Sequence, residues 1–398
     1  MNGLKKFGSK IRIPALSISV ALLVGAIFII FTDIEVLGGL LSDPIGALSL
    51  GIGRAAASYS ALFRGAFGDP ENIGKALASN GDIKLWARAL RPLVESVVAS
   101  VPLIFVGLGV SVAFRTGIFN IGGAGQYTMG AVGGTLAALL FGAGVTPAPI
   151  AILLVMIFGV IGGAAWAFIP GYLKARVGAS EVITTIMLNF IAGQFVFFLV
   201  SNFEFIQKPP RIQPVSKELS QFVDLPGILP IAALRMDISI IIALLTAVAV
   251  SWFLFRSTRG FELRAAGLNL AAAKYAGIGA GTSIITAMLI SGAISGLGGA
   301  LVAVGTIKQL SPGIAGSVGF TAIAVALVGG TRPSGVVATA LVFGLLQHGG
   351  SLMQVETSIP IEMLLFIQAL VIAFIAAPEL TLGILKNPFR RRPRSVAK

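Results

Sequence analysis

The sequence predicts an all-α, polytopic membrane protein, and three observations predict it. Of its 398 residues 56% are hydrophobic and only 11% are charged, with a mean hydropathy of +0.94. Apolar stretches near twenty residues recur from end to end. The basic residues collect in the gaps between them. A water-soluble domain needs far more charge to cover its surface, whereas twenty residues rising 1.5 Å each cross a bilayer. The expectation is one transmembrane domain over residues 1–398, with a membrane core at 13–378 and about ten transmembrane helices.

Composition also removes function classes. The formal charge of +13 is scattered over short gaps rather than gathered in a patch, so it orients helices and does not bind nucleic acid. No cysteine is present, which excludes disulfides, thiolate metal sites and cysteine catalysis. A single histidine, His348, excludes a histidine-rich metal centre. It lies in an apolar Gly-Leu-Leu-Gln-His-Gly-Gly setting with no acid partner, so it reads as a packed residue rather than a catalyst. No G-x-x-x-x-G-K-S/T stretch occurs, so any ATP-driven work needs a separate polypeptide.

The spans are expected near 13–36, 92–114, 118–141, 150–171, 180–202, 238–256, 282–304, 317–331, 334–350 and 361–378. Lys5, Lys6, Lys10 and Arg12 precede the first apolar run, which is longer than a signal-peptide core and lacks an A-x-A exit. It reads as an uncleaved span. The eighth and ninth spans are short, with Pro333 between them, and form either a tight hairpin or a re-entrant pair. Residues 38–91 and 203–237 read as extracytoplasmic loops, the first with an interfacial helix and the second irregular, with five prolines. Residues 256–281 read as a cytoplasmic loop holding an Ala-rich helical stretch flanked by glycines, and 379–398 as a basic cytoplasmic tail. With the N-terminus inside, eighteen basic residues fall on that side and eleven outside, ten of them in the two long loops. The positive-inside rule counts short loops, so both termini are expected in the cytoplasm.

Glycine pairs spaced four apart, Gly130/Gly134, Gly159/Gly163 and Gly292/Gly296, let helix backbones approach closely. Buried carboxylates are the usual mark of an ion-coupled carrier. Glu95 and Glu362 lie near outer span ends and Glu181 at a helix start, so none reads as mid-bilayer. The polar stretch from Arg115 to Gln126 is broken by glycines between two spans. Asn120 and Gln126 there either hydrogen-bond a polar solute or satisfy backbone groups freed at the break. The 256–281 helix either lies on the membrane surface or docks into a soluble partner.

Several stretches carry a resemblance. RTGIFNIGGAGQYTMG at 115–130 resembles the R-x-G-x-F-N-I-G-A-E-G-Q signature of bacterial ABC-importer permeases of the branched-chain amino acid/ribose-type superfamily, nucleoside branch. EVITTIMLNFIA at 181–192 is similar to that branch's E-V-I/S-T-T/L-M-L-N-Y/F-I-A run. LRAAGLNLAAAKYAGI at 263–278 resembles its R-A-x-G-x-N-x-x-A-A-x-Y-x-G-I loop, and residues 288–300 and 319–347 continue the likeness. The likeness covers roughly 60–380.

The resemblance implies an importer permease, not an enzyme, in the plasma (inner) membrane. It would pair with a second permease subunit, an ATP-binding cassette ATPase and an extracytoplasmic solute-binding protein. ATP and Mg would be used by the ATPase, with no cofactor in this chain. Nucleosides are the implied solutes; a simple sugar such as ribose, or ion-coupled transport by the chain alone, are the alternatives. Phe119, Asn120, Gln126, Glu181, Thr184 and Asn189 would line the solute pathway. Arg264, Ala265, Gly267, Asn269, Ala272, Tyr275 and Gly277 would form the coupling segment seated in the ATPase. Ala124 stands where the family signature has glutamate.

Overall fold

A computed structural model describes residues 2–376 except 80, 143, 145, 211, 220, 221, 232 and 358. The basic tail expected at 379–398, and the side chains of Lys5, Lys6, Lys10 and Arg12, lie outside what is described. The described residues are helical, with two isolated β-bridges, Gln207 to Ser216 and Gly227 to Asp237, and no strand. The chain divides into two compact units, one of Met1–Gly65 with Gly349–Lys398 and one of Ala66–His348.

The first unit holds α1 (Asn2–Thr32), α2 (Ile34–Gly39), the start of α3 (Pro44–Phe67), the end of α14 (Pro333–Thr357) and α15 (Ile361–Ala376). α1 runs along α15, where Ile29 and Ile367 are buried and Ser17 Oγ donates to the Phe374 carbonyl at 3.0 Å. Asp33 caps α2 by accepting the N–H groups of Glu35 and Val36 at 3.0 and 3.2 Å, as an N-cap aspartate does. Arg54 pairs with both Asp33 and Glu35.

The second unit holds α4 (Pro70–Ala78), α5 (Ile83–Arg115), α6 (Gly123–Phe141), α7 (Ala148–Val177), α8 (Glu181–Asn202) and α9 (Ser239–Arg256). There follow α10 (Thr258–Leu268), α11 (Leu270–Tyr275), α12 (Ala280–Val302), α13 (Val318–Val328) and the start of α14. α12 ends in a π turn, Ala303–Ile307. The Asp82 carboxylate opens α5 by accepting the Lys84 N–H at 2.8 Å. Gly178 closes α7 at φ +72, a left-handed stop that only glycine adopts cheaply.

α5 and α12 form the centre, and α6 and α7 wrap α12. The glycine pairs read from the sequence explain how. A Cβ placed on Gly130 would fall on the backbone of Gly296, and one on Gly163 would fall on the Gly292 carbonyl. A Cβ on Gly134 would come within 2.6 Å of the Ala300 Cβ. The three helices therefore touch backbone to backbone, the arrangement that van der Waals contact in lipid favours.

Six helices are long and apolar enough to cross a membrane: α5, α7, α8, α9, α12 with its π turn, and α14. Shorter apolar helices occupy Leu16–Thr32, Val318–Val328 and Glu362–Phe374. Several expected boundaries move. The span expected from 118 begins at Gly123, because 116–122 is not helical. The short ninth span becomes the 25-residue α14, opened by Pro333, whose missing N–H costs nothing at a helix start. α13, the eighth, has only 11 residues, or about 16 Å of helix, well under the roughly 30 Å of a hydrocarbon core. The helical stretch expected within 256–281 is two helices, divided at Asn269 by an extended residue with φ −157.

Candidate functional site

The seven residues 116–122 between α5 and α6 free several backbone groups, and side chains recover them. Asn120 is fully buried. Its Oδ1 accepts the Gly122 N–H at 2.8 Å, a turn made by a short amide side chain on its own backbone. Its Nδ2 donates to Ser291 Oγ of α12 at 2.8 Å and to Gln126 Oε1 at 3.1 Å, while Gln126 Nε2 returns a bond at 3.3 Å. Asn189 of α8 holds the other side. Its Oδ1 accepts the Gly125 N–H at 2.8 Å, and its Nδ2 donates to the Ile121 carbonyl at 3.0 Å. Glu181, at the start of α8, lies near the Phe119 backbone and pairs with Lys174 at 2.8 Å.

Asn120, Gln126, Asn189, Glu181 and Phe119 thus come together around one break. Asn120 and Gln126 are buried and engaged with protein partners, while the Phe119 ring is 45% exposed and stacks on Phe114 at 4.7 Å. Thr184 stands apart, its hydroxyl bonded back to the Ser180 carbonyl at 2.9 Å. Two participants were not singled out in the sequence. Ser291 sits under Asn120, and buried Thr185 would touch a Cβ on Gly122 at 3.0 Å. A hydroxyl inside an apolar run was the only available signal.

The 256–281 segment meets the same break. Gly117, at φ +76, faces Gly267 of α10, and a Cβ on Gly267 would strike the Arg115 carbonyl. Asn269 caps α11 by accepting the Ala272 N–H at 3.0 Å, and its own N–H donates to Ala265. Gly277 turns the chain out at φ +82. Leu268 and Tyr275 project outward, 90% and 96% exposed, and Ala272 is exposed beside them. Arg115 donates from Nε to the Thr331 carbonyl at 2.6 Å, joining the break to the turn before α14. Arg264 and Arg115 both lie near the Phe255 ring, at 5.3 and 5.0 Å.

A further region was missed: the non-helical segment between the π turn and α13. A Cβ on Gly193, halfway along α8, would lie 3.7 Å from the Pro312 carbonyl. Gly319, in the first turn of α13, abuts Ala124. Gly313, Gly316, Ser317 and Phe320 are exposed. The run Ser-Pro-Gly-Ile-Ala-Gly at 311–316 thus reaches the middle of a membrane-length helix. Among the described residues there is no cluster of three or more metal-ligating side chains.

The family described as branched-chain amino acid transport system / permease component matches residues 93–376. A guanosine ABC transporter permease, NupP, of Bacillus subtilis is 36% identical over 93% of this chain and 94% of its own length. A nucleoside ABC transporter permease, NupB, of Lactococcus lactis is 35% identical over 80% of this chain and 82% of its own. A glucose ABC transporter permease, TsgB13, of Haloferax volcanii is 32% identical over 72% and 76%. The two bacteria each hold a second, differently named permease, NupQ and NupC, both 28% identical to this chain. No solved structure matches. A multi-pass membrane protein and a component of transport rather than an enzyme, this chain belongs to the branched-chain amino acid transport system permease family.

Proposed function

We propose that this chain is one permease subunit of an ATP-binding cassette importer for nucleosides in the plasma membrane. The observation that carries the reading is the contact of Gly117 with Gly267, which seats the two-helix segment directly on the polar break. A push on α10 or α11 reaches Arg115, Asn120 and Asn189 with no flexible link between. The exposed Leu268, Ala272 and Tyr275 present the face that a soluble ATPase would grip, with Arg264, Ala265, Gly267, Asn269 and Gly277 shaping it. ATP and Mg belong to that ATPase. A second, different permease and an extracytoplasmic binding protein complete the assembly. The paired permeases of the two bacterial relatives support the heterodimer.

In this reading both termini are cytoplasmic, and α1, α6, α13 and α15 join the six long helices to give about ten membrane segments, with α13 re-entrant. Non-helical backbone at membrane depth is tolerated where it lines a cavity, so the solute path runs past Pro312–Ser317 and the N-terminus of α13. Phe119, Glu181 and Thr184 border its inner end, while Asn120, Gln126 and Asn189 hold the border in shape. Alternating access follows when the ATPases move the segment and the break shifts.

The test is reconstitution with ATPase, second permease and binding protein. Labelled guanosine should enter liposomes only with ATP, and replacement of Gly267 by arginine should uncouple hydrolysis from uptake. Uptake by this polypeptide alone under an ion gradient would end the proposal. A simple-sugar importer is the second reading, favoured by the glucose permease relative. Competition of guanosine uptake by excess ribose or glucose separates the two.

A further inference from the structure

The start of α10 carries cations that no carboxylate pairs with among the described residues. Arg264 and Arg332, from two other segments, both act on Arg115 as like charges. Arg264 has no hydrogen bond or ion pair among the described residues, and its Nε is buried without a partner. Glu262, the nearby carboxylate, is engaged by Arg259 at 2.9 Å. The Arg264 Nε is enclosed, so the donors an acceptor from outside the chain would meet are the outer guanidinium nitrogens of Arg264, whose side chain lies by the Phe255 ring and lines an open recess.

That open recess of 480 Å³ is lined by Phe255, Arg256, Thr258, Phe261 and Arg264 among others, and by one carboxylate, Glu262, whose charge Arg259 offsets. Its position is set by α9, an 18-residue apolar helix that ends at Arg256, so the recess sits where membrane meets water. Phe255 and Phe261 are 40% and 61% exposed there, a wasteful arrangement in water and a favourable one against acyl chains. The Ser257 hydroxyl takes the Gly260 N–H at 2.9 Å, and the N–H groups of Thr258 and Arg259 have no partner among the described residues. Cations, free helix-start amides and exposed phenyl rings thus converge on one recess at the boundary.

We propose that this recess binds an acidic phospholipid. The headgroup phosphate is held by Arg256 and Arg264 at the head of α10, and the upper acyl chain lies over Phe255 and Phe261. The inference needs only the membrane character of α9 and stands apart from the identity of the solute. A lipid seated there would brace α10 against the break through Arg264 and Phe255.

The full chain is placed in nanodiscs of phosphatidylcholine doped with spin-labelled phosphatidylglycerol or spin-labelled phosphatidylcholine, and the immobilised fraction of each is measured. Phosphatidylglycerol should be retained over phosphatidylcholine. Replacing Arg256 and Arg264 together by glutamine should remove that preference, with about a fivefold loss per arginine, and replacement of both by lysine should keep most of it. Phe261→Ala should weaken retention of phosphatidylglycerol while leaving the protein's melting temperature unchanged. Equal retention of the two lipids, or an unchanged preference in the glutamine variant, overturns the proposal. So does equal displacement by inorganic phosphate, which would make the recess a free-anion site. Loss of lipid on adding the ATPase would assign the surface to that protein and overturn it too.

Discussion

Glycine does opposite work in two places. In the seam of α6, α7 and α12 it removes side chains so that three helices touch through their backbones, with Gly130, Gly163, Gly292 and Gly296 leaving no room for a Cβ. At the joint of the break with α10, Gly117 and Gly267 also touch, but there the last turn of a helix meets a non-helical turn that amide side chains hold. The seam is apolar and continuous, so any added atom must push a helix. The joint is one contact between the last turn of α10 and the end of α5 with the turn that follows it, so an added atom there presses on the break. Under the proposed function, one region resists motion and the other transmits it.

The sharpest way to break this comparison is Gly296→Leu. Overpacking a backbone contact should cost about 3 kcal/mol or more, lowering the amount of folded protein recovered in detergent and its melting temperature. Gly267→Ala, whose Cβ would lie 2.2 Å from the Arg115 carbonyl, should cost less, about 1–3 kcal/mol, and should in addition reduce ATP-driven uptake per folded molecule by about tenfold, roughly 1.4 kcal/mol of coupling. If both variants melted alike and transported alike, the two regions would not differ as argued.

Asn120→Leu strips Ser291 and Gln126 of a buried partner and should destabilise by about 1–3 kcal/mol, read by denaturation in detergent. Asn189→Leu should act similarly, and the pair should be less than additive if they brace one break. Glu181→Gln keeps its place near Phe119 but weakens the pairing with Lys174, itself one-third exposed. Its effect on stability should stay under about 1 kcal/mol. The smallest change belongs to Lys75→Ala, which breaks an exposed i,i+4 pair with Glu71 and should cost under about 0.5 kcal/mol. A larger loss there would show that surface charge, not the seam, sets stability.

Much of the site was legible because its residues announce themselves. Asn120 and Gln126 stand among glycines in an apolar chain, so their polarity marked them, whereas Asn189 came only with the family resemblance. Whether they faced solute or backbone was open until their partners were seen. Ser291 and Thr185 were silent because a lone hydroxyl in a membrane helix satisfies itself on the preceding turn as readily as it serves a site. The packing of the 308–317 segment against α8 was not legible because apolar length alone carries no record of which helix a connecting segment touches.

Composition and period by themselves determined that the chain lives in lipid, roughly where most of its long apolar helices run, and that close-spaced glycines join them. Those are local properties, set by transfer from water and by 3.6 residues per turn. Only the tertiary structure decided that α13 has just 11 residues, that Asn269 splits the 256–281 segment, and that Gly117 meets Gly267 across 150 residues of sequence. Such facts depend on which backbones come within contact of each other, and sequence spacing along one helix carries no record of its neighbour.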